Sequence, residues 1–275
     1  MSYVSILTQV QPDGEAAPRL ACALTLAKRF HARLIGLASE MAPPLTLTAG
    51  YYGREADWAA AMGGAIDKRL QAARDTFDRE VGGLPPADTA WVRGFGMPAY
   101  EMAAASRAAD LIVAGGSERR FDRYSSADAA ELAMLSGRPV LVAPDKGAAL
   151  TAKRVVVAWK DTREARRASA DALPFLKEAE AVQVTGICAA DEAESAGEGL
   201  EQVAEALRRH GVKASAKLVQ QPHSDAAALR AAAASFGADL IVMGCYGHSR
   251  LGEWAFGGFT RNLLAHAEQH LLLSH

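Results

Sequence analysis

Short apolar runs punctuate this chain, and the stretches between them carry the small and charged residues of helices. VSILTQV at 4–10 leads into the helical stretch APRLACALTLAKRF at 17–30, and ARLIGLAS at 32–39 reads as a second strand. Far downstream, RVVVAW at 154–159 leads into one long predicted helix, REARRASADALPFLKEA, and AVQVTGICA at 181–189 follows as a strand. Strands alternating with helices at this rhythm predict βαβ units and a parallel sheet. LIVAG at 111–115 and LIVMG at 240–244 show no polar alternation, as befits central strands covered by helices on both faces.

The pattern repeats itself. Ala109-Asp110-Leu111-Ile112-Val113-Ala114-Gly115 matches Ala238-Asp239-Leu240-Ile241-Val242-Met243-Gly244 without a gap, at an offset of 129 residues. An alanine-rich helix precedes each copy, and each half closes on another apolar run, 139–142 and 271–273. The expected organisation is a first domain over 1–145, a polar small-residue linker over 146–152 and a second domain over 153–275. The first half also carries an insertion around MAPPLTLTAGYYG, where Tyr51, Tyr52 and the following Trp58 offer apolar area for a lid or packing loop.

Composition narrows the partners. The chain has 275 residues, 50% hydrophobic and 23% charged, with a formal net charge of −2. That balance supports a substantial core and gives no reason to expect nucleic acid. No apolar stretch reaches the length of a membrane span, and the first residues lack the basic-then-apolar pattern of a secretory signal. Cys22, Cys188 and Cys245 form no C-x-x-C pair, which fits a reducing cytoplasm rather than a disulfide scaffold or zinc knuckle.

Chemistry concentrates in residues 238–264, ADLIVMGCYGHSRLGEWAFGGFTRNLL. A strand runs into Gly244; Gly247, Gly257, Gly258 and Thr260 follow. Glycines at a strand end and a helix start let backbone N–H groups approach an anion, at the edge of an α/β sheet where ligands sit. No Gly-Lys-Ser/Thr follows, so this is not a Walker loop.

The spacing Gly-x2-Gly-x9-Gly after such a strand resembles the universal stress protein family. Tyr246-Gly247-His248-Ser249-Arg250, Gly257-Gly258-Phe259-Thr260-Arg261 and Ala158-Trp159-Lys160-Asp161-Thr162-Arg163-Glu164-Ala165 strengthen the likeness, which covers 153–275 well and 1–145 loosely. It implies two tandem doubly wound parallel-sheet domains, Rossmann-like and of the adenine nucleotide alpha hydrolase type. Together they would stand in for the dimer of single-domain relatives, with 139–143 and 271–274 as pairing strands. It also implies a cytoplasmic stress-response protein that binds an adenine nucleotide, ATP first, with Mg2+ as its companion. An unidentified protein partner would read the nucleotide state, and a homodimer of tandem chains stays open.

By the same likeness Ala158 and Trp159 would line the adenine, and the backbone of Ile187 would bond it. Gly244, Gly247, Gly257, Gly258, Phe259 and Thr260 would cradle phosphate, with His248 and Arg250 in the loop between. Two departures stand out: Lys160, followed by Asp161, where the family has an aspartate, and Gly258 where it has a hydroxyl. Asp161 could substitute, or Lys160 could reach a phosphate as a point charge. At the 129-residue offset the first half carries Glu118, Asp128, Ala129 and Glu131 in place of Gly247, Gly257, Gly258 and Thr260. Each such carboxylate would repel a phosphate by about 1 kcal/mol even in a water-like medium. Nucleotide binding is therefore expected in the second half alone.

Other readings are a slow ATPase and an interaction module that has lost its ligand. Gly247-His248-Ser249-Arg250-Leu251 lacks the closing glycine of a nucleophile elbow, and His223-Ser224-Asp225 cannot form a triad from adjacent residues. Asp225 instead reads as the cap of a helix from Ala226. His266 and His270 have helical spacing but no acid at the zincin position, so no metal site is expected.

Overall fold

The computed structural model describes residues 2–11, 16–43, 55–115, 122–144, 149–220, 226–245, 258–265 and 268–275. The first half contributes β1 (Ser5–Gln9), α1 (Ala16–Phe30), β2 (Arg33–Ser39), α2 (Glu55–Glu80), β3 (Thr89–Gly94), α3 (Pro98–Ala105), β4 (Leu111–Gly115), α4 (Ala129–Ser136) and β5 (Val140–Ala143). The second contributes β6 (Arg154–Trp159), α5 (Arg163–Asp171), α6 (Leu173–Glu178), β7 (Ala181–Cys188), α7 (Ala193–Arg209), β8 (Ala214–Gln220), α8 (Ala226–Phe236), β9 (Leu240–Gly244), α9 (Gly258–Ala265) and β10 (His270–Ser274).

All ten strands form one sheet in the order β3-β2-β1-β4-β5-β10-β9-β6-β7-β8. Every pairing is parallel except β5 with β10, where Val140, Leu141 and Val142 face Leu273, Leu272 and Leu271. The chain is thus two doubly wound α/β units joined edge to edge, through the two runs expected to pair. Because the seam is antiparallel, the strand carboxyl ends of the two units emerge at opposite edges of the sheet.

Helices cover both faces, as the continuous apolar strands require. On one face α1, α2, α6 and α7 bury Leu26, Phe77, Phe175 and Leu200. On the other, α3, α4, α8 and α9 bury Met102, Leu132, Leu229 and Leu263. The first face carries an aromatic cluster across the seam: Tyr3, Phe30 and Phe175 lie with ring centroids 5.3–5.4 Å apart. Tyr3 donates its hydroxyl to the Asp171 carbonyl at 2.6 Å, and Arg29 pairs with Glu178 at 2.7 Å.

Some expectations change. The single helix over 163–179 is broken at Ala172, because Pro174 has no N–H and its ring cannot follow a preceding helical turn. At the end of the expected linker Leu150 and Ala152 are buried, and Arg29 donates to the Thr151 carbonyl at 2.9 Å. His270 opens strand β10 and so lies on no helical face. The insertion segment 44–54, with Tyr51 and Tyr52, and the residues His223, Ser224, Asp225 and His266 lie outside the described residues. Helix α8 begins at Ala226, where a cap at Asp225 would place it. No described helix is long and apolar enough to cross a membrane.

Candidate functional site

In a doubly wound sheet the ligand crevice lies outside the strand carboxyl ends, where the chain winds in opposite directions from neighbouring strands. Here that place falls between β6 and β9. Ala158 is level with Met243 and Trp159 with Gly186, so Ala158, Trp159, Ile187 and Gly244 meet at one edge of three adjacent strands. Their side chains do not share a face. Ala158 and Ile187 pack toward the cluster of Met243 and Cys245, together with Phe259. Trp159 points to the opposite face and packs against the cluster containing Val184 and Leu200. Alternation along a strand makes this unavoidable, so Ala158 and Trp159 point to opposite faces of the sheet.

Lys160 and Asp161 follow β6 in an exposed turn. Asp161 pairs with Arg166 at 2.5 Å, one turn into α5. Thr162 caps that helix, accepting from the Ala165 N–H at 3.3 Å. Gly258 and Phe259 open α9, and Thr260 is buried two residues further on, inside the first turn rather than at the cap. Gly247, His248, Arg250 and Gly257 lie outside the described residues.

Gly244 is where the glycine is sterically required. A Cβ placed on it would stand 2.5 Å from the Glu164 carbonyl carbon and 2.6 Å from the Ala165 nitrogen. The first turn of α5 therefore rests directly on the end of β9. A Cβ on Gly258 would meet nothing within 4 Å among the described residues.

That contact buries Glu164, which the sequence reading passed over. Its side chain is only 3% exposed, and Arg163 holds one carboxylate oxygen, Oε1. Among the described residues the other oxygen, Oε2, has no hydrogen-bond partner. Burial pushes this carboxyl up, but hydrogen bonds from Arg163, its own backbone N–H and Thr162 outweigh it and hold the pKa below the ordinary range. The Cys245 thiol next to Gly244 is pushed up to about 12, by burial first and by the Glu164 charge second. An acid on the α5 stripe that also carries the buried Ala165 and Ala168 was the available sequence signal, since a helix normally keeps such a stripe apolar.

The corresponding edge of the first half is closed by its own side chains. The strand registers place Gln9 at the position of Ala158 and Gln11 at that of Lys160. The Gln9 amide donates to the Ser125 carbonyl at 2.8 Å and accepts from the Ala127 N–H at 3.0 Å. Gln11 also donates to Ser125, at 2.8 Å. Arg19, buried beside Gly115, donates to the Gln9 carbonyl at 2.8 Å and to the Gln11 side chain at 2.9 Å. Helix α4 has the length of α9 and begins 129 residues before it, but its N-terminus is capped by Asp128, which accepts from the Glu131 N–H at 2.8 Å. The residue in that place in the second half is Gly257, which has no side chain to serve as a cap.

Fold and site together define a tandem, doubly wound α/β protein in which side chains fill the strand edge of the first half and the matching edge of the second half ends on Gly244. A family model described as the universal stress protein family matches residues 138–275, half of the chain. The fold is that of a universal stress protein from Archaeoglobus fulgidus DSM 4304, with a TM-score of 0.69 at 15% identity over 98% of this chain and 95% of that one. A functionally unknown protein from Pseudomonas aeruginosa PAO1 shares it at a TM-score of 0.57 and 16% identity, over 99% of this chain and 92% of that one. No curated protein matches. The chain belongs to the universal stress protein family.

Proposed function

We propose that the second half binds an adenine nucleotide, ATP first, and that the protein is a cytoplasmic stress-response module whose surface answers to nucleotide occupancy. The observation that carries this reading is the contrast between α4 and α9. The first helix spends its Glu131 N–H on its own Asp128, whereas α9 opens on Gly258 with Gly257 before it in the sequence, and neither glycine has a side chain that could take such a donor from a ligand. Backbone N–H groups and the helix dipole together make such a terminus an anion site.

In this arrangement the base lies against Ala158 and Ile187, and the phosphates sit over Gly257, Gly258, Phe259 and Thr260. Gly244 and Gly247 allow close backbone approach, and His248, Arg250 and Lys160 supply positive or hydrogen-bonding groups to the phosphates. Trp159 serves by packing beneath the strand edge, and Asp161 by holding Arg166. The nucleotide brings Mg2+ through its own phosphates. The first half acts as a packing partner, with its crevice occupied by Gln9 and Arg19.

The test is calorimetric titration of the full chain with ATP, ADP and AMP. Saturable binding that Gly247→Glu abolishes is the expected result. Failure to saturate at millimolar nucleotide, or binding unchanged in that variant, would overturn the reading.

A further inference from the structure

A cavity of about 200 Å³ opens at the seam, at the carboxyl end of β5. Cys22 and Leu26 of α1 line it with Ala143, Leu150 and His270, and Ala21 is exposed at its rim. Strand β10 runs against β5, so the cavity lies at the opposite edge of the sheet from Gly244. In the second half the matching place is built up with polar side chains. When Leu20, Ala23, Ala27 and Phe30 of α1 are set on their buried counterparts Ala165, Ala168, Ala172 and Phe175, Cys22 falls on Arg167 and Leu26 on Asp171. Ala143 corresponds to Ser274, since each pairs with the glycine that ends the neighbouring strand. Arg167 donates to the Gly137 carbonyl at 2.6 Å and pairs with Asp171 at 3.5 Å, and Ser274 donates to the Asp171 carboxylate at 2.9 Å. Cys22, Leu26 and Ala143 cannot build that cluster, and the room it takes in the second half stays open in the first.

The lining sets the chemistry of a guest. No Asp, Glu, Lys or Arg lines the cavity among the described residues. Burial pushes the Cys22 thiol up to about 12 and lowers the His270 imidazole from its ordinary value, so both are uncharged at neutral pH. A charged guest would lose its hydration and gain no counter-ion. The walls are mostly carbon, and an apolar cavity of about 150 Å³ already holds a benzene ring. Imidazole and thiol add hydrogen-bonding atoms to those walls. We propose that the seam cavity is a ligand site of its own, taking a neutral single-ring molecule that carries a hydroxyl group. Its contacts come from both halves, through α1 and β5 on one side and His270 on the other.

Phenol is the probe, and benzoate, a ring of the same size that carries a charge, is the control. Calorimetric titration of the full chain should show phenol saturating in the millimolar range and benzoate failing to saturate. Cys22→Leu fills the cavity, and Ala21→Leu narrows its rim from an exposed helical position; thermal melts confirm that both fold. Each should weaken phenol binding by about tenfold or more, as befits a guest forced into an overpacked space. Phenol should also slow the alkylation of Cys22 by N-ethylmaleimide in the wild type, followed by mass spectrometry. Failure of phenol to saturate, equal binding of benzoate, or undiminished phenol binding in both variants would overturn the inference. So would an unchanged rate of Cys22 alkylation at saturating phenol.

Discussion

Gly244→Ala places a methyl group where backbone already stands. The new Cβ would lie 2.5 Å from the Glu164 carbonyl carbon and 2.6 Å from the Ala165 nitrogen. Carbon atoms rest about 3.5–4.0 Å apart, so the first turn of α5 would have to retreat by about 1 Å. No rotamer change relieves this, since the obstructing atoms belong to the main chain. Overpacking of this kind costs about 1–3 kcal/mol. For a protein of this size each kcal/mol lowers Tm by about 2–4 °C, giving a fall of roughly 2–12 °C by scanning calorimetry. Two other glycines serve as controls. Gly115→Ala, at the equivalent place in the first half, meets, among the described residues, one guanidinium nitrogen of Arg19 at 3.1 Å, a side-chain contact that needs a few tenths of an ångström where Gly244 meets main chain, so its cost is smaller. Gly258→Ser meets no described atom within 4 Å and replaces a weak helix former, so Tm should hold or rise. A Gly244→Ala protein melting within about 1 °C of the wild type, or no lower than Gly258→Ser, would refute the close approach of α5 to β9.

Two further predictions concern the seam and its ionisable group. Phe175→Ala empties the centre of the aromatic cluster that joins the halves, and a loss of about 3–5 kcal/mol is expected in denaturant unfolding; a loss below about 1 kcal/mol would show that the rings do not pack as described. His270 is buried at the start of β10, and burial lowers its pKa from the ordinary value despite the opposing pull of Asp239. The unfolded chain then takes up the proton more readily, so stability rises with pH across the interval between the lowered folded pKa and about 6.5. Melting temperatures measured between about pH 5 and pH 8 should show the wild type losing stability toward acid relative to His270→Leu, and a constant difference between the two would contradict the shift.

The central strands and the duplication were legible because strands buried on both faces are written as unbroken apolar runs. LIVAG and LIVMG became β4 and β9 residue for residue. The edge strands β3 and β8 were not singled out. Both are only partly buried, and ASAKLVQ carries polar residues at alternate places that a helix or loop would also accept. The glycine spacing pointed to the crevice edge, and β6, β7 and β9 do bring Ala158, Ile187 and Gly244 together there. What the spacing could not tell was direction. Only strand alternation turns Trp159 away from Ala158, and only the contact of α5 with Gly244 buries Glu164. An acid in the first turn of a helix is ordinarily explained by the helix dipole at the surface, and that explanation hid it.

The two crevices differ in three respects whose effects point the same way. Asp128 caps α4 where Gly257 cannot cap α9. Gln9 reaches across to Ser125 and Ala127 where Ala158 is too short to reach anything comparable. Arg19 fills the space beside Gly115 with a bonded cation, whereas Glu164 leaves an unpartnered acceptor, among the described residues, beside Gly244. Reversing one of them would not open the first half. Gln9→Ala, for example, removes the bonds to Ser125 and Ala127 but leaves the Asp128 cap and the Arg19 guanidinium in place. Because the seam is antiparallel, this closure lies at the far edge of the sheet from the glycine crevice and places no side chain near it. The filled crevice therefore adds hydrogen bonds to the first half without constraining the site in the second.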